Sequence, residues 1–318
     1  MNAFLDYIVT AVALGMTLLL GCTGEILTEK SGHLNLGIPG IMCFGGAMGC
    51  FALRAVYGSG LHPALIVIIA ILASFLGGVL MGLIYSFLTV TLKANQNVTG
   101  LAMTIFGSGT TKFMMLGISA YSNEYLYALK YFRFPFAGRT DALMYCGVLA
   151  YVAVAIALVS SFVLSRTRVG LHLRAVGENP ATADAVGINV SLYKYVATGI
   201  GSGIAALGGL FYIMDYAGSN EAYKSVEAFG WLAVALVIFT LWRPHLSILG
   251  SILFGALYLA GSRLPTLLGI TLDMSATPLL QMLPYAVTII VLIITSVRKK
   301  RENQPPASLG LSYFREER

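Results

Sequence analysis

From His62 to Leu92 the chain runs without a single Lys, Arg, Asp or Glu. About 20 apolar residues in a helix cross the roughly 30 Å hydrocarbon core of a bilayer, and this run is longer than that. Similar stretches recur. Hydropathy places candidate spans at about 3–21, 37–56, 63–92, 97–117, 143–164, 192–216, 228–242, 246–263 and 279–297. The expected fold class is an all-α polytopic membrane protein with eight or nine transmembrane helices. The second and eighth spans are the weakest, and the long third one must tilt or extend beyond the bilayer. Composition agrees, because charged residues make up 11% of the 318 and hydrophobic residues 57%, whereas a soluble domain is about 25% charged. No basic residue precedes the first segment, Ala3–Gly21, which is too long for a signal h-region and reads as a plain helix.

Basic residues beside helix ends set orientation. Arg166, Arg168 and Arg174 follow the fifth span, and Arg298, Lys299, Lys300 and Arg301 follow the last. Four spans separate the two blocks, so both can be cytoplasmic. The loops near Lys30, Lys93 and Arg243 then share that side. The amino terminus, the Arg54 loop and residues 118–142, 217–227 and 264–278 face outside. The net charge of +6 is thereby a topology signal, and no nucleic-acid partner is expected. The chain divides into a membrane domain, 1–297, and a mobile cytoplasmic tail, 298–318, with Pro305 and Pro306. The external stretch holding Tyr121, Tyr125, Tyr127, Tyr131, Phe132, Phe134 and Phe136 reads as an interfacial aromatic belt or as a landing surface for a partner. Belting also accounts for Trp231 and Trp242 at opposite ends of the seventh span.

Catalytic signals are missing. Cys22, Cys43, Cys50 and Cys146 have no metal-ligand spacing and read as small packing residues. Gly107 to Lys112 is the nearest approach to a phosphate-binding loop, but its glycines are misplaced and it lies within a span. The four histidines are scattered, no carboxylate pair or nucleophile set stands out, and no enzyme site, cofactor or metal is expected.

Polar and small residues inside spans are more informative. His33 to Gly40 puts polar side chains, Pro39 and two glycines at the entrance of the second span. It reads as a broken or re-entrant helix, which is tolerated at membrane depth only when buried in protein or lining a cavity. Gly199 and Gly203 form a small-xxx-small pair for close helix packing. In the fourth span Asn97, Thr104, Ser108 and Thr111 recur at helical spacing, so that face, with Asn35, is a candidate lining for a solute path. Hydroxyls bonded back to their own helix are the alternative. Asp6, Glu25 and Asp215 are placed near span ends, where none suits ion coupling.

After the fifth span, Asn179 is a good N-cap, Pro180 suits the first helical position and Gly187 a C-terminal stop. The two-turn helix between them is too short to stand alone, and Ala181, Ala183 and Ala185 let a partner come close. An ordinary interfacial loop is the plainer alternative.

Two stretches resemble one family. Gly170-Leu171-His172-Leu173-Arg174-Ala175-Val176-Gly177-Glu178-Asn179-Pro180, continuing through Ala183-Asp184-Ala185-Val186-Gly187-Ile188-Asn189, resembles the coupling-helix motif of ABC importer permeases of the branched-chain amino acid, simple-sugar and nucleoside family. Gly24-Glu25, Glu29, Gly32 and Asn35-Leu36-Gly37 to Gly40 resemble that family's amino-terminal segment, with Pro39 where many members carry Glu. The likeness covers about residues 15–297. It implies a short cytoplasmic coupling helix at about 178–187, where Glu178, Asn179, Pro180, Ala181, Asp184 and Gly187 meet an ATPase subunit. It also implies a second permease, most simply as a heterodimer, two ATP-binding subunits or one tandem ATPase, and an external solute-binding lipoprotein. ATP would be bound by those partners. The wording is most similar to the shorter permease of nucleoside importers of the basic-membrane-protein type. The implied role is half of a path for nucleosides, small neutral solutes, in a bacterial cytoplasmic (inner) membrane. Riboflavin, simple sugars or branched-chain amino acids are alternatives, and an ion-coupled secondary transporter is a more distant one.

Overall fold

The computed structural model describes residues 3–119, 147–268, 279–280, 282–298 and 304–314. Most of the aromatic segment 118–142, Cys146 and the basic run 299–301 lie outside them. The described elements are helical. They are α1 (Ala3–Glu29), α2 (Ile38–Val56), α3 (Pro63–Ser86, continued by a π turn at Phe87–Thr91), α4 (Gln96–Ser119), α5 (Val148–Arg166), α6 (Arg168–Glu178), α7 (Pro180–Ala185), α8 (Val190–Phe211, continued by a π turn at Tyr212–Ala217), α9 (Tyr223–Phe239), α10 (Pro244–Leu268) and α11 (Leu283–Arg298). Eight are long and apolar enough to cross a membrane, and α11 adds a shorter apolar stretch, Leu283–Ile294.

α8 is the centre of the bundle, packed against α1, α2 and α3. Small residues allow this. A Cβ on Gly24 would lie 2.2 Å from the Gly201 carbonyl oxygen, and a Cβ on Gly201 would lie 2.4 Å from that of Gly24. Both positions must therefore be glycine for α1 and α8 to touch backbone to backbone. α2 and α4 also meet closely: a Cβ on Gly107 would lie 2.3 Å from the Gly40 carbonyl oxygen, and one on Gly40 would lie 2.5 Å from that of Met103. The pattern read from sequence points two residues aside, since Gly201 lies midway between Gly199 and Gly203. Gly203 makes room for the Phe75 ring, while Gly199 has only ordinary contacts.

Three expectations need correction. α1 does not stop near Gly21 but runs to Glu29, because Cys22 and Ile26 are fully buried and both acidic side chains find partners inside the protein. Glu25 lies one turn from the end of that span, as expected, and is completely buried. The break near the second span falls wholly before it, since α2 is continuous from Ile38. Finally, residues 304–314 do not trail away. Pro306 and Ser308 are buried, and the Ser308 amide donates to the Gly177 carbonyl at 3.0 Å. This contact puts the tail on the face that carries α6 and α7.

Candidate functional site

α7 is built as its sequence prescribes. The Asn179 Oδ1 accepts from the Thr182 amide at 3.0 Å, Pro180 opens the helix, and Gly187 ends it with φ +86°, a left-handed conformation that suits glycine. Ala183 packs inward with Val176 and Val190, while Val186 is 72% exposed. Glu178 and Asn179 are exposed, and Pro180 is half-buried. The structure thus brings the six sequence-selected residues into one short, outward-presented element. The tail supports it from behind, with the Tyr313 hydroxyl donating to Asp184 Oδ2 at 2.9 Å.

Beside it, Lys30, Arg174, Glu178, Arg243 and His245 line a cavity of about 590 Å³. Burial lowers the pKa of the Lys30 ammonium. Glu178 opposes that shift, and the guanidinium groups of Arg174 and Arg243 add to it.

The buried connection Lys30–Gly37 is the second functional element. Its irregular backbone is held by side chains from four helices. Leu34 N donates to Gln96 Oε1 at 2.8 Å, Asn35 N to Glu25 Oε1 at 3.2 Å, and Gly37 N to Asn35 Oδ1 at 3.0 Å. Thr104 Oγ1 donates to the Leu36 carbonyl at 2.8 Å, and the Tyr85 hydroxyl to that of Leu34. His33 Nδ1 lies 2.9 Å from Thr198 Oγ1, and burial pushes the His33 pKa down to about 3, with Lys194 adding to the shift. Buried backbone polar groups must be paired, and the Glu25, Asn35, Gln96, Thr104 and Tyr85 side chains do the pairing. Trp242 also departs from its expected interfacial role. It is 7% exposed and its indole N–H donates to the Glu29 carboxylate.

The path candidates separate. Asn35 has no exposed surface, and Thr104 and Thr111 are buried. The Thr111 hydroxyl bonds back to the Gly107 carbonyl at 2.7 Å, while Thr104 reaches across to Leu36 in the connection ahead of α2. Ser108 is half-buried and Asn97 exposed. The five do not form one open face; Asn97 and Ser108 sit beside the exposed side of α4.

Sequence reasoning passed over an aromatic stack in the far half of the bundle. In the π turn of α8, the Tyr212 and Tyr216 rings stack with centroids 5.4 Å apart. Tyr212 lies 4.6 Å from Phe229, and Phe229 lies 5.1 Å from Tyr258. Asp215, in the same turn, accepts from the Gly147 amide at 3.0 Å. No periodicity marks a set drawn from three helices. The only available signal was the tyrosine spacing at the end of a glycine-rich span.

Comparison with known proteins extends these observations. The guanosine ABC transporter permease protein NupQ of Bacillus subtilis is 29% identical, over 86% of this chain and 87% of its own length. The nucleoside ABC transporter permease protein NupC of Lactococcus lactis is 28% identical, over 85% and 86%. The permease protein TsgC13 of Haloferax volcanii, whose name assigns it to a glucose ABC transporter, is 32% identical over 94% of each chain. The family described as branched-chain amino acid transport system / permease component matches residues 7–292, from the first helix into the last. The chain belongs to that family and is the membrane-embedded permease subunit of an ABC importer, without an ATPase domain of its own.

Proposed function

We propose that this permease forms half of a translocation path for nucleosides. The observation that carries the reading is its likeness, over about six-sevenths of its length, to two permeases named for nucleoside and guanosine transport. The aromatic stack around Tyr212 and Tyr216 supports it, because flat rings suit a nucleobase and π turns are frequent at functional positions. A neutral solute also needs few charges, in keeping with Asn97 and Ser108 as the polar groups beside the exposed face of α4. That face would meet the second permease.

In this reading α7 is the coupling helix. Glu178, Asn179, Pro180, Ala181, Asp184 and Gly187 dock on an ATPase subunit on the cytoplasmic side, with the tail on the same side. An external binding protein delivers solute to the opposite mouth. ATP-driven closure of the ATPase pair moves α7 and alternates access to the path. The supporting observation is a short capped helix presented outward, with Val186 72% exposed.

The 32% identical glucose-assigned relative favours a sugar as the second reading. Uptake of radiolabelled nucleosides, in cells with and without this chain and with its partner subunits present, distinguishes the two. Loss of uptake on deletion, with competition by nucleosides and not by sugars, is expected. Intact nucleoside uptake after deletion would overturn the nucleoside reading and leave the permease role standing.

A further inference from the structure

A cavity of about 400 Å³ lies beside α7, between the π turn of α3, Lys93, the first turn of α8, and Ser312 and Tyr313 of the tail. Its most unusual lining residue is Lys194. This side chain is 4% exposed, and among the described residues it has no hydrogen bond or ion pair. A buried ammonium without a counter-charge is costly. The location makes it more so, because Lys194 sits one turn inside the amino terminus of α8, the positive end of the helix dipole. Lys93 adds a second ammonium from the opposite wall.

Backbone donors point the same way. The first amides of a helix have no intrahelical acceptor. The Asn189 side chain takes the Leu192 amide at 3.0 Å, which leaves those of Val190 and Ser191 without an acceptor from their own helix. One carboxylate, Asp184, shares the lining and accepts a hydrogen bond from Tyr313, and the two ammonium groups outnumber it. Two ammonium groups, two helix-terminal amides and the Ser191 and Ser312 hydroxyls therefore surround a space large enough for a small molecule.

We propose that this cavity binds a phosphate-bearing anion, held by Lys194, Lys93 and the first turn of α8. Its source is either a soluble phosphate compound or the headgroup of an anionic phospholipid. A ligand there touches the tail at Ser312, the stop of α7 at Gly187 and the start of α8 at once. Occupancy thus fixes α7 against the membrane domain.

The test uses the full chain with its partner subunits in nanodiscs of phosphatidylcholine, titrated calorimetrically with inorganic phosphate and with ribose 5-phosphate. Parallel nanodiscs contain phosphatidic acid, and thermal stability is read in both. A soluble ligand gives saturable binding in the phosphatidylcholine discs, weakened at least about tenfold in Lys194→Gln and kept in Lys194→Arg. A lipid ligand instead gives a stability gain in phosphatidic acid discs that Lys194→Gln loses and Lys194→Arg keeps. Lys93→Asn, which tolerates the left-handed backbone at that position (φ 54°), serves as the second variant should Lys194→Gln not assemble. No response to either source, or responses equal in wild type and variants, overturns the proposal.

Discussion

Replacing Tyr313 by Phe removes one hydroxyl from the contact between the tail and α7 and leaves the ring in place. That hydroxyl donates to Asp184 Oδ2 at 2.9 Å in half-buried surroundings. A hydrogen bond to a charged group contributes about 1.5–3 kcal/mol net, and partial exposure reduces this to about 1 kcal/mol. With RT near 0.59 kcal/mol, the balance between docked and released tail shifts about fivefold toward release. Release is incomplete because other anchors remain. Both the amide and the hydroxyl of Ser308 donate to the Gly177 carbonyl, Gln96 Nε2 donates to that of Leu311 at 3.2 Å, and Lys93 lies 4.4 Å from the Phe314 ring centroid. Amide hydrogen exchange on the assembled transporter reads the change. Peptides from 304–314 should exchange about fivefold faster in Tyr313→Phe, while α8 peptides hold their protection. An unchanged rate in the tail would refute the anchoring role of the hydroxyl, and acceleration throughout α8 would mean a loss of fold rather than a local release.

Gly187→Trp should leave the protein in the membrane, since nothing lies within 4 Å of a Cβ built at this exposed position and the left-handed backbone costs roughly 1–2 kcal/mol. ATP hydrolysis should continue while uptake falls, and parallel assays of both would show otherwise by unchanged uptake. His33 gives a pH dependence. Its folded pKa of about 3 lies below the ordinary value of 6.5, so the unfolded chain takes up the proton first as pH falls. Stability is then complete above pH 6.5 and declines below it, by on the order of 2 kcal/mol at pH 5. Thermal unfolding in detergent across that range should show the decline in wild type and lose most of it in His33→Asn.

How legible each part was follows from the physics that fixes it. Long apolar runs reveal spans because a bilayer demands length, so α2, α3, α4, α8 and α10 fall close to their expected positions. α7 was legible because Asn179, Pro180 and Gly187 act locally, each through its own backbone. Glu25 and Glu29 misled for the opposite reason. Hydropathy ends a helix at a carboxylate, but here α1 continues with Glu29 bonded to the distant Trp242 indole and Glu25 Oε1 to the Asn35 amide. The tail looked mobile because Pro305, Pro306 and mixed charges resist regular structure. It is nevertheless ordered through 304–314 by bonds to Gly177, Asp184 and Gln96, none of which its own composition reveals. The path candidates on α4 shared a face by arithmetic, yet packing on α2 buries Thr104 and Thr111 and leaves Asn97 exposed and Ser108 half-buried.

The buried motif residues and α7 are parts of one bonded arrangement. α7 is joined covalently to α6 through Asn179 and to α8 through the Gly187–Asn189 link. A third joint is non-covalent, running from Asp184 to Tyr313 and along the tail to Leu311. From there Gln96 completes it. Its Nε2 donates to the Leu311 carbonyl at 3.2 Å, and its Oε1 accepts from the Leu34 amide at 2.8 Å. A side-chain amide holds its donor and acceptor at a fixed separation, so a displacement of Leu311 must carry Leu34 with it or break one of the two bonds. Leu34 is next to Asn35, whose amide is held by Glu25 of α1, and two residues from Leu36 of the same sequence on Thr104 of α4. The polar motif ahead of α2 therefore does structural work in the buried link between two spans. It ties α1, α2 and α4 to the same short segment that the tail reaches, and this is why glutamate and asparagine occupy positions that hydropathy alone would assign to solvent.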